Sequence, residues 1–365
     1  MKKIGIISLF GFHNYGCLLQ CFALQTILKS LGHTPTHIVF TDEKIKNKPL
    51  FKRVRTFLGK IRNSFKTKEL KKFADNFIEY RNVKTEEATS IAKDYDAFIV
   101  GSDQIWRPRF VTFGIQNAFC SFAAPESKPC ISYAASFGSE EWEYSEQQTK
   151  ECAQLAKQFK AISVREASAV QLCKEHLGVE ATHILDPTLL LTSNDYKKII
   201  PQKLLSTKAK TNKKKVFAFF LDQTKEKETL VDTFLQENDY TQLSSYLVNS
   251  EKLVLRSFRK YSLYPAVETW LSNFANADFV ITDSFHACVF SIIFRKPFIC
   301  YANVARGNAR IPSLLSMLGI APTHLISSLS ELQPASTYAL PSDIDETLTS
   351  LRQFSINWLS SNLQD

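Results

Sequence analysis

Short apolar runs of strand length alternate with longer stretches of helical periodicity along most of the chain, and this alternation restricts the possible folds more than any other feature. KIGIISLF reads as a buried strand, GCLLQCFALQTILKSLG as an amphipathic helix closed at Gly32, and THIVF as a second strand. AFIVGSDQIW, PCISYAASFG, AISVRE and ATHILDPTLLL each carry a strand that ends in a turn, with helices near Gln147 to Lys157 and over VQLCKEHLG. After the lysine-rich PQKLLSTKAKTNKKK the alternation resumes with VFAFFL, the helices KEKETLVDTFLQEN and ETWLSNFANA, and the strand DFVITD. The helix HACVFSIIF, the strand PFICY and a helix near IPSLLSMLG complete it. Strands separated by helices make a mostly parallel sheet covered on both faces.

At 365 residues the chain exceeds one ordinary core and suits two domains. The expected organisation is a first domain at 1–194, a linker at 195–214, a second domain at 215–340 and an amphipathic helix at 341–365. The expected fold class is α/β, with two doubly wound domains facing across a cleft. No apolar run approaches the roughly 20 residues of a membrane span, so a chain that does not cross a bilayer is expected. The apolar run in MKKIGIISLFGFHNYG is only about six residues, below the roughly 7 to 15 of a secretory signal core, and reads as a strand.

The eight cysteines, at 17, 21, 120, 130, 152, 173, 288 and 300, form no CxxC pair and suit reduced, mostly buried thiols in a cytosol. Cys17 and Cys21 can share a helix face, but no ligand-spaced partners accompany them and no metal is expected. The net charge of +9 is uneven: from Lys44 to Lys72 twelve lysines and arginines stand against one acid, Glu69. Leu50, Phe51, Val54, Phe57, Leu58, Ile61 and Phe65 fall among them at helical spacing. Two readings stay open, a helix packed on its own domain with a solvated basic face, or one lying on anionic lipid at about 1 kcal/mol per cation. No recognition helix, zinc finger or aromatic stacking motif supports nucleic acid as a partner.

Ligands of doubly wound sheets bind beyond the carboxyl ends of the strands. Five polar clusters stand at such exits: GFHNYG, GSDQIW, SFGSEEW, Arg165-Glu166, and Asp283-Ser284-Phe285-His286. Asp283 or Ser284 can cap the following helix, whose free N–H groups can hold an anion. His286 falls in the first turn, where the positive helix end favours a neutral imidazole. A Ser-His-Asp hydrolase is unsupported, because Ser284 and His286 are two apart and no GxSxG elbow occurs. No glycine-rich dinucleotide turn or P-loop is present. Arg165, with Arg306 and Arg310 in YANVARGNARIPSLL, supplies guanidinium forks suited to phosphate or carboxylate.

NYGCLLQCFALQ, FIVGSDQIW, ISYAASFG, ISVRE, DPTLLL and TDSFHACVFSIIFRKPFICY, in this order, resemble the polysaccharide pyruvyl transferase family from about residue 4 to 320. The resemblance implies a GT-B-like fold of two Rossmann-like domains, the first on the acceptor side and the second on the donor side. It implies transfer of the three-carbon unit of phosphoenolpyruvate to two hydroxyls of a sugar, giving a cyclic pyruvate ketal and phosphate. No cofactor is expected beyond phosphoenolpyruvate as co-substrate. The family's functional histidine carries over onto His286, its strand-loop arginine onto Arg165, and its later basic residue onto Arg306, where other members have lysine.

On that resemblance His286 is the acid/base nearest the donor and Asp103 the sugar-side base. Arg165, Arg306 and Arg310, with Asp283 and Ser284 at the helix start, hold the donor, while His13, Asn14 and Gln104 bond sugar hydroxyls. The expected partners are phosphoenolpyruvate, a sugar of a cell-surface polysaccharide or its lipid-linked precursor, and an anionic membrane surface. The expected location is the cytoplasm, at the inner face of the cytoplasmic membrane. A GT-B glycosyltransferase using a nucleotide sugar, and a non-catalytic glycan-binding protein, stay open as alternatives.

Overall fold

The computed structural model describes residues 1–41, 67–205, 213–222, 224–247, 264–303 and 309–364. The chain packs as two compact units, one of 1–190 with 349–365 and one of 191–348. In the first, seven strands pair in parallel: β1 Lys3–Ile7, β2 Thr34–Thr41, β3 Tyr80–Lys84, β4 Ala97–Val100, β5 Cys130–Ala135, β6 Ala161–Val164 and β7 Thr182–His183. Their order is β3-β2-β1-β4-β5-β6-β7. The chain builds outward from β1 in one direction and then from β4 in the other, so the order reverses between these two strands. A crevice opens at the carboxyl ends on either side of such a reversal.

The second unit repeats this logic with β8 Lys215–Phe220, β9 Thr241–Leu247, β10 Phe279–Thr282, β11 Phe298–Tyr301 and β12 Leu325–Ile326, in the order β12-β11-β10-β8-β9. All pairs are parallel, and the reversal lies between β8 and β10. Covered on both faces, β4, β5, β10 and β11 are buried at every position, which is why they read as continuous apolar runs. Gly5 in β1 lets the Phe98 ring of β4 lie against the backbone, because a Cβ there would sit 2.5 Å from that ring.

Both expected parallel α/β domains are present. The lysine-rich 195–214 stretch is not simply a linker: Thr192 and Asp195 form a capping box for the helix Ser193–Lys198, and Tyr196 is buried edge-on to Phe290, 4.9 Å between ring centres. The tail is helical over Ile344–Leu363 as expected, but from Thr349 onward it belongs to the first unit. There the Ser355 hydroxyl accepts from the Leu185 amide and Arg352 Nε donates to the Leu189 carbonyl at 2.6 Å. Strands β3 and β9 were not legible, since β3 buries only Val83 and β9 carries Gln242, Ser244 and Ser245.

Of the basic Lys44–Lys72 segment, only Thr67 onward lies within the described residues, as the start of the helix Lys68–Phe77. No helix among the described residues is long and apolar enough to cross a membrane. All eight cysteines are buried and unbridged.

Candidate functional site

The order reversal in each unit coincides with a buried polar cluster. In the first unit the β1 and β4 exits run side by side, fixed by the Gly101 amide donating to the Ile7 carbonyl at 2.7 Å. Asp103, two residues on, holds a left-handed backbone at φ +66° and bridges Ala135 at the end of β5. A bulge in β5, with Ala134 at φ +51° and a register shift between Ser132 and Ala135, turns that exit toward β4. The Arg165 amide then donates to the Ala135 carbonyl at 3.0 Å, so the β4, β5 and β6 exits converge.

Arg165 is the centre of this convergence. Its Nη1 donates to Asp186 Oδ2 at 2.8 Å and its Nη2 to Asp103 Oδ1 at 3.4 Å, with Glu166 Oε2 4.0 Å from Nε. Asp186 also accepts from the Ser102 hydroxyl, and from the amide and hydroxyl of Thr188. Glu166 Oε1 accepts from the Ser136 hydroxyl and the Phe137 and Gly138 amides. Burial would lower the Arg165 pKa, but Asp186, Asp103 and Glu166 outweigh it and hold the guanidinium above its ordinary value.

The Arg165 side chain is 1% exposed. It acts as an internal counter-ion, its fork facing the Asp186 and Asp103 carboxylates. Gln104 is likewise engaged, accepting from Arg107 Nη1 at 2.8 Å and packing so tightly on Gly138 (φ +68°) that a Cβ there would overlap it. Arg107 pairs with Glu143.

His13 and Asn14 lie exposed in the loop after β1. Asn14 is the N-cap of the helix Tyr15–Ser30, its Oδ1 accepting from the Gly16 and Cys17 amides at 2.9 and 3.4 Å, so its carbonyl serves the helix rather than a sugar. Asn14→Ala should destabilise the first unit by about 1 kcal/mol in chemical denaturation. Beneath this loop the Ser8 hydroxyl lies 3.2 Å from His37 Nδ1 and 3.3 Å from Cys21 Sγ. Burial pushes His37 down to about 4 and the Cys21 thiol up to about 12, with Cys17 also raised well above its ordinary value. Among the described residues no group of three or more His, Cys, Asp or Glu could hold a metal.

In the second unit the reversal brings together Asp222 after β8, Asp283 after β10 and Asn303 after β11. Asp283 Oδ1 accepts from the Leu221 amide at 2.6 Å. Its Oδ2 accepts from Lys227 Nζ at 2.6 Å, Asn303 Nδ2 at 3.1 Å and the Asp222 amide at 3.3 Å. Lys227 Nζ also donates to the Asp222 carbonyl at 2.9 Å. Asp283 therefore ties three strand exits together, its oxygens meeting the protein's own donors.

Ser284, not Asp283, is the N-cap of the helix Phe285–Ile293, its hydroxyl accepting from the Ala287 amide. His286 follows in the first turn and is 5% exposed. Its ring meets Phe285 edge-on at 5.2 Å, and the Arg310 guanidinium lies 5.8 Å from the centre of the same Phe285 ring. His286 and Arg310 thus both lie against the Phe285 ring, which directly follows the Ser284 cap beside the switch point. Arg306 lies outside the described residues.

Sequence reasoning missed Ser102, Asp186, Glu166, Asp222, Lys227 and Asn303 as members of these clusters. Ser102, Asp186 and Glu166 stood in strand-exit motifs, whereas Lys227 lay inside the helix Lys225–Asn238 with nothing in the local sequence to mark it.

A sequence model described as polysaccharide pyruvyl transferase matches residues 14–303. The chain belongs to the polysaccharide pyruvyl transferase family. It is a transferase of GT-B fold. No curated protein matches its sequence. Among solved structures, the pyruvyl transferase-family chain is similar to UDP-GlcNAc 2-epimerase from Neisseria meningitidis bound to UDP-GlcNAc, at TM-score 0.53 and 11% identity, over 100% of this chain and 95% of that one. It is also similar to UDP-N-acetylglucosamine 2-epimerase from Rickettsia bellii, at TM-score 0.52 and 12% identity, over 98% and 96% of the two chains. Anabaena HepE in complex with UDP and glucose gives TM-score 0.51 and 13% identity, over 99% and 100%. At such identities these likenesses establish the fold alone.

Proposed function

We propose that the protein transfers the pyruvyl unit of phosphoenolpyruvate to a sugar of a cell-surface polysaccharide or of its lipid-linked precursor, at the inner face of the cytoplasmic membrane. The observation that carries this reading is that His286 and Arg310 meet the same Phe285 ring, next to the Ser284 cap at the β10 exit, within a chain of this family. A guanidinium, a capped helix start and an imidazole are the groups a small phosphorylated carboxylate requires.

In the reaction a sugar hydroxyl oxygen bonds to C2 of the enolpyruvyl unit, a proton adds to its methylene carbon, and the C2–O bond to phosphate breaks. A second hydroxyl closes the ketal and releases its proton. His286 is assigned the proton transfer at the donor, and Arg310 the stabilisation of its negative charge. Asp103, held in position by Arg165, is assigned acceptance of a sugar hydroxyl proton.

Thermal unfolding with phosphoenolpyruvate or with UDP-glucose tests the donor. A ligand at a hundred times its Kd contributes about 2.7 kcal/mol of stability. Phosphoenolpyruvate is expected to raise the melting temperature and UDP-glucose to leave it unchanged. The reverse result would replace this reading with a nucleotide-sugar glycosyltransferase, and a response to neither would leave the non-catalytic glycan-binding reading in place.

A further inference from the structure

The loop that leaves the carboxyl end of β1 reads Leu9-Phe10-Gly11-Phe12, an apolar composition for a connecting loop, and Phe10 and Phe12 are both half-buried. Phe12 meets Phe10 edge-on at 5.7 Å, and Phe10 lies 5.0 Å from the ring of Tyr80, also half-buried. Beside them stands the helix Lys68–Phe77. It buries Leu70, Phe73 and Ala74 and presents Lys68, Lys71 and Lys72 as exposed side chains. Lys71 Nζ lies 6.0 Å from the Phe12 ring centre.

Acids also stand here: Glu69 and Asp75 on the helix, and the exposed Glu79 next to Tyr80. Asp75 accepts from Lys71 Nζ and from the Tyr80 hydroxyl, each at 2.6 Å, and the bond from Lys71 does most to hold its carboxyl below the ordinary range. Lys68, Lys71 and Lys72 offset these acids, and the excess positive charge comes from the sequence that enters the helix. The sequence entering this helix has the same sign, with twelve basic residues and one acid from Lys44 to Lys72. Partly exposed aromatic rings bordered by lysines are the composition that partitions into the headgroup region of an anionic bilayer.

We infer that Phe10, Phe12 and Tyr80, with Lys68, Lys71 and Lys72, form a docking surface for an anionic phospholipid bilayer. This inference is independent of the donor, and it gives a lipid-linked acceptor a reason to be met beside the β1 exit.

Co-sedimentation of the full chain with phosphatidylcholine vesicles, alone or with about one-third phosphatidylglycerol, tests it. Wild type is expected to sediment with the anionic vesicles only, and to be released as salt is raised. Phe12→Ser, and separately the pair Lys68→Glu and Lys72→Glu, should each weaken partition on the order of fivefold or more. Phe354→Ser, at another exposed aromatic position, should leave binding unchanged. The inference is overturned if wild type binds neither vesicle or both equally. It is also overturned if Phe12→Ser binds as wild type does, which would assign attachment to basic charge without this surface.

Discussion

Arg165→Ala is expected to lower the unfolding free energy of the first unit by about 3–5 kcal/mol, the cost of removing one partner from a buried charge cluster. Asp186, Asp103 and Glu166 would be left around a cavity with no cation, in a region where Asp186 is 2% and Glu166 0% exposed. Ser102, Thr188, Ser136 and the Phe137 and Gly138 amides still serve two of these carboxylates, so the loss falls short of complete unfolding. Arg165→Lys keeps the charge but cannot span Asp186 and Asp103 with one planar fork, and should lose less. Urea denaturation followed by tryptophan fluorescence, to which Trp106, buried in the same unit, contributes, measures both. A loss below about 1 kcal/mol for the alanine variant would mean that water reaches these carboxylates, as it does in exposed pairs.

His286→Gln is expected to reduce turnover by about 10²- to 10⁴-fold, the contribution of a positioned acid or base, with little change in melting temperature. The helix it belongs to is capped by Ser284 and anchored by Val289, Phe290, Ile292 and Ile293, all buried, so its fold does not depend on the imidazole. Under the proposed function Arg310→Ala should act differently, raising KM for phosphoenolpyruvate more than it lowers kcat. Turnover is read as phosphate release from phosphoenolpyruvate in the presence of acceptor glycan. If His286→Gln turns over at the wild-type rate, the proton transfer belongs to another residue.

Much of the architecture was legible because its determinants are local. A strand covered on both faces must be apolar throughout, as in FIV and FVIT, and a polar residue after such a run marks a strand exit. All five predicted exits are strand exits, and the tail helix was placed within a few residues. Edge strands escaped notice: β3, with one buried side chain, carries no apolar run to reveal it. The short helix Ser193–Lys198 was hidden by a lysine-rich composition, although Thr192 and Asp195 spelled its capping box.

The individual site residues were less legible. Asp283 and Ser284 are adjacent and both able to cap, yet one caps the helix and the other binds Lys227, a difference set by which neighbour each carboxylate or hydroxyl meets. Asn14 was read only as a partner for sugar hydroxyls, whereas its side chain caps the Gly16 and Cys17 amides of the helix start.

The sequence by itself determined the two parallel α/β units, their strand exits and the family, because strand and helix periodicities and turn residues act over a few neighbouring positions. Only the tertiary structure decided which charges are spent inside the protein. Arg165 meets Asp103 across 62 residues and Lys227 meets Asp283 across 56, and strand order alone brings them together. A buried charge must find its counter-charge wherever the fold places it, so the partner of an arginine or a lysine is a property of the assembled sheet rather than of its neighbours in the chain.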